Sequence, residues 1–200
     1  MKFSSLMASV FLSGLMFSGR TLQAAEFKTS APNSVNICLT GDAEHFVVTQ
    51  AEDIAARMFS DIGIHLEWYH DDRHCKNPPE NFLVVMLSSG APENKAPGAL
   101  AFSLLHTNPH IQVFYNRILK TVEPLAVHKL LAHVLAHEIA HMLEGTGRHS
   151  GSGLMRAHWD TPDLHQMSYK PMAFTPLDAS LIRSGLSQRQ TRLSAMATAP

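Results

Sequence analysis

Two hundred residues are enough for one domain with a sizeable core. An apolar content of 45% with only 16% charged residues describes a globular chain and excludes an intrinsically disordered one. A formal net charge of −1 offers nothing to attract nucleic acid or an anionic membrane surface, so neither is expected as a partner.

Residues 1–25 read as a signal peptide. Lys2 gives a positive start, residues 6–17 an apolar run, and Leu22-Gln23-Ala24-Ala25 a small-residue cleavage region. The run is too short to span a bilayer comfortably. The mature chain is therefore expected to begin near Ala25 or Glu26, secreted or periplasmic. Export gives meaning to Cys38 and Cys75, the two cysteines of the chain, because an oxidising compartment favours a disulfide between them.

Residues 35–39 are short, apolar and partly β-branched, which predicts a strand. Residues 46–60 carry Phe46, Val47, Ile54, Ala55, Met58 and Phe59 at helical spacing, closed by Asp61-Ile62-Gly63. Residues 64–69 alternate as a second strand, so strand, helix and strand predict a right-handed crossover and a parallel pair. No spacing joins His65, His70 and His74 into a site, and they read as a solvated edge. Asn77-Pro78-Pro79 breaks the chain before a nearly all-apolar central strand at 82–87. A surface loop at 88–98, a strand at 99–105, a turn at 106–110 with Asn108-Pro109, and a strand at 111–116 come next.

Pro124 suits the first turn of the next helix, and neither Pro nor Gly intervenes between Leu125 and Glu144. Leu130, Leu131, Val134, Leu135, Ile139, Met142 and Leu143 give this helix an apolar surface, and Gly145 supplies a left-handed residue to end it. At its centre stands His137-Glu138-Ile139-Ala140-His141, the HExxH pattern. Positions four apart lie one turn apart with nearly the same facing. His137 and His141 can therefore present two imidazoles to one ion, and Glu138 can reach a water on that ion.

A chain with thirteen His could contain this pattern by accident, but the residues beyond the helix argue against accident. Past Gly145, Thr146-Gly147-Arg148 turns the chain and places His149 within reach of the same metal; Met155 then sits in the tight turn Ser152-Gly153-Leu154-Met155. His133 lies four before His137, yet three consecutive turns cannot all point at one ion, so it reads as a packing or supporting residue and His128 as surface. No Glu follows Glu144, which excludes a downstream Glu ligand. Asp160 or Asp163 stays open as an alternative third ligand.

A third His beyond a glycine turn, then a Met in a tight turn, resembles the metzincin metallopeptidases, whose motif is HExxHxxGxxH followed by a Met-turn. His149-Ser150 and Gly153-Leu154-Met155 are most similar to the matrixin branch. The spacing departs from the family: His149 lies eight residues after His141 instead of six, and Glu144 stands where the family has Gly. Residues 98–102 followed by Val113-Phe114-Tyr115 also resemble the family, in which the corresponding edge strand borders the cleft and pairs with extended substrate. No Tyr stands two residues after Met155, so the Tyr found there in some metzincins is missing.

The resemblance covers roughly residues 98–155. It implies an α+β fold, a twisted mixed β-sheet with an active-site helix, a Met-turn and a C-terminal helix. It further implies Zn2+ held by His137, His141 and His149, with Met155 as the apolar floor beneath the metal. Glu138 would be the general base for hydrolysis of a peptide or protein substrate, in a monomer. A zinc-binding protein without turnover and a narrow zinc amidase are the alternatives.

Residues 156–170 read as irregular and polar, a wall beside the pocket to which His158 and Trp159 could contribute. Thr175 as cap and Pro176 at the first position start a last helix. Leu177, Leu181 and Ile182 are expected to hold it against the core as far as Gly185, with fraying from Ser187. The predicted catalytic domain is then 26–188, followed by a flexible tail at 189–200.

Overall fold

The computed structural model describes residues 33–90, 98–105 and 110–198. The predicted signal segment lies outside the described residues, as do most of the expected 88–98 loop and the 106–110 turn.

Five strands form one sheet among the described residues: β1 (Ser34–Gly41), β2 (His65–Tyr69), β3 (Phe82–Ser88), β4 (Ala101–Leu104) and β5 (His110–Phe114). Their order is β2-β1-β3-β5-β4, with every pairing parallel except β4–β5. Register follows the apolar pattern: Val35 faces Leu66, Ile37 faces Leu83, and Val85 faces Ile111. β3 is the central strand, as expected, but its two faces differ. Leu83, Val85 and Leu87 are buried while Met86 is 44% exposed, so the helices cover one face only at this point.

The helix between β1 and β2 is α1 (His45–Ser60), which buries Val48, Ala51, Ile54, Ala55, Met58 and Phe59. Phe46, counted in its apolar set from the sequence, is exposed. After β2 a single turn, α2 (Asp72–Cys75), carries Cys75 to Cys38, and the expected disulfide joins them across 5.3 Å between Cα atoms. The strand expected at 111–116 ends at Phe114. There α3 (Tyr115–Thr121) begins, because Tyr115 and Ile118, three apart, share one buried face.

Pro124–Ala126 form a 3₁₀ turn that leads into α4 (Val127–Glu144). α4 packs against α1, α3, β4 and β5, and it is buried on nearly every side from Leu130 to Leu143. It ends at Gly145, whose φ of 70° is left-handed as predicted.

Two expectations for the C-terminal part are corrected. Residues 156–170 are not irregular throughout, because α5 (Thr161–Met167) lies within them. Asp160 caps α5, and Asp163 answers it in a capping box, a local pattern that Asp160-Thr161-Pro162-Asp163 already spells. The last helix, α6 (Pro176–Ala197), starts on Thr175 as expected but does not stop at Gly185 or fray at Ser187. A Cβ at Gly185 would lie 2.0 Å from the carbonyl oxygen of Leu143, so this glycine lets α6 cross the end of α4 at close range. Past that crossing, Arg189 donates to the carbonyls of Glu80 (3.0 Å) and Phe82 (3.3 Å). Ala179, Ile182 and Leu186 face the core, whereas Leu177 is exposed. Among the described residues no helix is long and apolar enough to cross a membrane.

Candidate metal centre

Because α4 is enclosed, each polar side chain on it has to find a partner inside the protein. His133 is fully buried, with Nδ1 donating to the Lys129 carbonyl at 2.6 Å and Nε2 accepting from the Met172 backbone N–H at 3.0 Å. Both nitrogens are satisfied within the protein, which makes His133 a bracket between α4 and the chain before α6. Its ring stands edge-on to Trp159, and Trp159 stands edge-on to His137 in turn.

His137 and His141 have a different arrangement. Nδ1 of His137 donates to the Leu154 carbonyl and Nδ1 of His141 to the Thr146 carbonyl, each at 3.0 Å. These carbonyls fix the tautomers, because a carbonyl oxygen can only accept. The two Nε2 atoms are then both lone-pair acceptors, and they face each other 3.0 Å apart. Two lone pairs so close repel unless a proton or a metal ion lies between them, and burial disfavours the proton at both imidazoles. Zinc–nitrogen bonds of about 2.0–2.1 Å in a tetrahedral site put neighbouring donor atoms roughly 3.3 Å apart, close to this spacing.

His149 completes the group, with its ring 5.3 Å from that of His137 and 4.9 Å from that of His141. One ligand atom from each of the three lies within 4.8 Å of the others. Burial pulls His137 and His141 down to about 4, and each is also lowered by its imidazole neighbours. His149, the exposed member of the group, is lowered by partial desolvation, then by His158 and Arg148. The three are thus neutral near pH 7, the form in which imidazole binds metal. Three neutral imidazoles fit a zinc ion with one coordination position left for a reactant.

The turn that carries Met155 is built to hold this geometry. Gly153 has φ 74°, and a Cβ there would lie 2.8 Å from the Ala173 carbonyl oxygen, which accepts from Leu154 N at 2.9 Å. Only glycine fits such a position. The constraint aims the Leu154 carbonyl at His137. Met155 itself is fully buried, and its carbonyl accepts from Ser150 N at 2.7 Å, tying the turn to the residue after His149.

Glu138 is buried beside the imidazoles, and burial pushes its carboxyl up to about 7, opposed by a hydrogen bond from Ser103. The Ser103 hydroxyl donates to Glu138 Oε2 in a short contact, with the Glu138 carbonyl 3.3 Å away. Sequence reasoning missed Ser103. The available signal was a lone hydroxyl in the otherwise apolar run Leu100-Ala101-Phe102-Ser103-Leu104-Leu105 of an edge strand.

Glu138 and His149 open on a cleft of about 510 Å³. Its walls come from the approach to β4 (Leu100), from β4 (Ala101), from α4 (Val134), and from His158, Trp159 and Leu164 beyond the Met155 turn. The carboxylates weighed as alternative ligands are held elsewhere: Asp160 and Asp163 close the α5 capping box, and Arg156 pairs with both.

No family model and no curated protein matches the chain. Among solved structures it is similar to an archaemetzincin from Methanopyrus kandleri, with a TM-score of 0.53 at 15% identity, covering 78% of this chain and 97% of that one. The likeness is one of fold. It places the mixed five-stranded sheet and its helices in the metzincin-like α+β architecture that the motif resemblance implied.

Proposed function

We propose that this chain is an exported zinc-dependent peptidase that cleaves peptide bonds in the cleft beside His137, His141 and His149. In this reading residues 1–25 are removed as a signal peptide, residues from 26 onward form the catalytic domain, and the chain acts as a monomer. The observation that carries the proposal is the pair of Nε2 atoms of His137 and His141, aimed at each other 3.0 Å apart with both Nδ1–H groups taken by carbonyls. A packed core satisfies its buried polar atoms, and with both tautomers fixed by carbonyls this pair of facing lone pairs is satisfied best by a shared metal ion.

Zinc held there would supply the electrophile that acidifies a water and polarises a scissile carbonyl. The remaining chemistry belongs to the chain's own residues. Glu138, buried in the wall of the cleft and held by Ser103, takes the proton from the attacking water and passes it to the leaving amine nitrogen. Burial raises the proton affinity of its carboxyl above that of an ordinary carboxylate, the direction such a two-way transfer needs. Among the described residues β4 is an edge strand of the sheet and its neighbourhood lines the cleft, and a sheet edge is where an extended chain can add as a further strand. This feature favours a peptide over a small amide.

The test is hydrolysis of an unfolded generic protein by the zinc-loaded protein beside its Glu138→Ala variant. Activity that disappears in the variant supports the reading. Zinc bound firmly by both with cleavage by neither would overturn it in favour of a narrow amidase or a metal-binding protein.

A further inference from the structure

His149 reaches the other imidazoles from a turn, eight positions after His141, and something has to hold that turn in place. The residues on either side of His149 converge on one atom. Arg148 Nη2 and the Ser150 hydroxyl both donate to Asp178 Oδ1, each at 2.5 Å. Arg148 Nη1 also donates to the Ser150 oxygen at 2.9 Å, which closes a triangle around the backbone of His149.

Asp178 can serve as an anchor because it is itself immobile. It is fully buried in the first turn of α6, and its other oxygen accepts from the Thr175 hydroxyl at 2.7 Å and the Thr175 N–H at 3.1 Å. The charges are arranged to suit a cation nearby. Arg148 alone would repel a metal ion at His149, but Glu144, 3.4 Å from the guanidinium, and Asp178 together carry one more negative charge than Arg148 brings.

We infer that Asp178, acting through Arg148 and Ser150, is the positioning residue that presents His149 to the metal, so that α6 is a working part of the site. The inference rests on the zinc reading above. A hydrogen-bond partner of the ligand itself is typically worth about ten- to a hundredfold in metal binding. Asp178 holds the residues flanking His149 and not its imidazole, so the lower end of that range applies.

Zinc affinity, measured by competition with a chromophoric chelator, tests the inference without recourse to activity. The variants are Arg148→Met, Asp178→Asn, His149→Ala and the double variant Arg148→Met/His149→Ala. Arg148→Met leaves the Thr175–Asp178 cap in place, so it stays informative if Asp178→Asn fails to fold. The expected result is a loss of about tenfold in Arg148→Met, but little further loss when the same change is made on top of His149→Ala. Wild-type affinity in Arg148→Met, or an equal additional loss in the His149→Ala background, would overturn the positioning role while leaving the zinc reading intact. Equal affinity of wild type and His149→Ala would instead overturn the ligand assignment itself.

Discussion

His133 offers a quantitative test of how the helix sorts its histidines. It is fully buried and neutral, and burial holds its pKa down to about 4 against an ordinary 6.5. The folded pKa lies below the unfolded one, so between those two values the unfolded chain binds more protons. Stability from this residue is therefore complete above about pH 6.5, falls as the pH drops toward 4, and falls no further below that. The interval corresponds to about 3 kcal/mol, with each tenfold of proton affinity contributing ~1.4 kcal/mol. The perturbation is His133→Gln, a side chain with a donor and an acceptor of its own and no charge at any of these pH values. Urea unfolding of both metal-free proteins at steps from pH 7.5 to 4 gives two stability curves. Other titrating groups, including the remaining imidazoles of the site, cancel in their difference. Stability of the wild type should fall by about 3 kcal/mol more than that of the variant over this range. Parallel curves would refute the reasoning.

His149→Ala should lower zinc affinity by more than about a hundredfold, beyond what loss of an outer hydrogen-bond partner costs, whereas Asp160→Asn and Asp163→Asn should bind zinc as wild type does; chelator competition distinguishes them, and the reverse pattern would make an aspartate the ligand. Ser103→Ala should lower kcat about tenfold with zinc retained, the effect of one hydrogen bond of ~1.4 kcal/mol to a carboxylate; unchanged kcat would remove Ser103 from the reaction. Gly185→Ala should destabilise the protein by about 1–3 kcal/mol in denaturant unfolding. Its Cβ would lie 2.0 Å from the Leu143 carbonyl oxygen, a clash that outweighs the ~1 kcal/mol helix preference of Ala over Gly; a stabilised variant would mean that α6 does not cross α4 so closely.

Much of the fold could be read from short-range patterns. The 3.6-residue repeat placed α1 to within a residue and the end of α4 at Glu144, although its start lies at Val127 beyond a 3₁₀ turn at the expected Pro124. Thr175-Pro176 marked the start of α6, and short apolar or alternating runs located the strands. The errors came from reading local signals without the partner that overrides them. Gly185 looked like a helix stop because glycine often is one, yet here the missing side chain serves a contact with Leu143, more than forty positions away. Residues 156–170 looked irregular because they lack a long apolar stripe. α5 is only seven residues long and is held by its capping box and Met167 rather than by a broad buried face.

The candidate site divides along the same line. His137, Glu138 and His141 lie within five consecutive residues on a helix, and helical geometry alone dictates which of them share a face. The sequence by itself therefore determined that two imidazoles and a carboxylate stand together. It could not determine that His133, at the same four-residue spacing, is satisfied by Lys129 and Met172 while His137 turns Nε2 toward that of His141. Nor could it decide where the imidazole of His149 goes, since a turn of such residues has many conformations of similar energy. The tertiary structure settles both, because Asp178, Ser103 and the Leu154 carbonyl reach the site from separate elements. Their positions depend on how α6, β4 and the Met155 turn pack around α4, and no spacing along the chain encodes that packing.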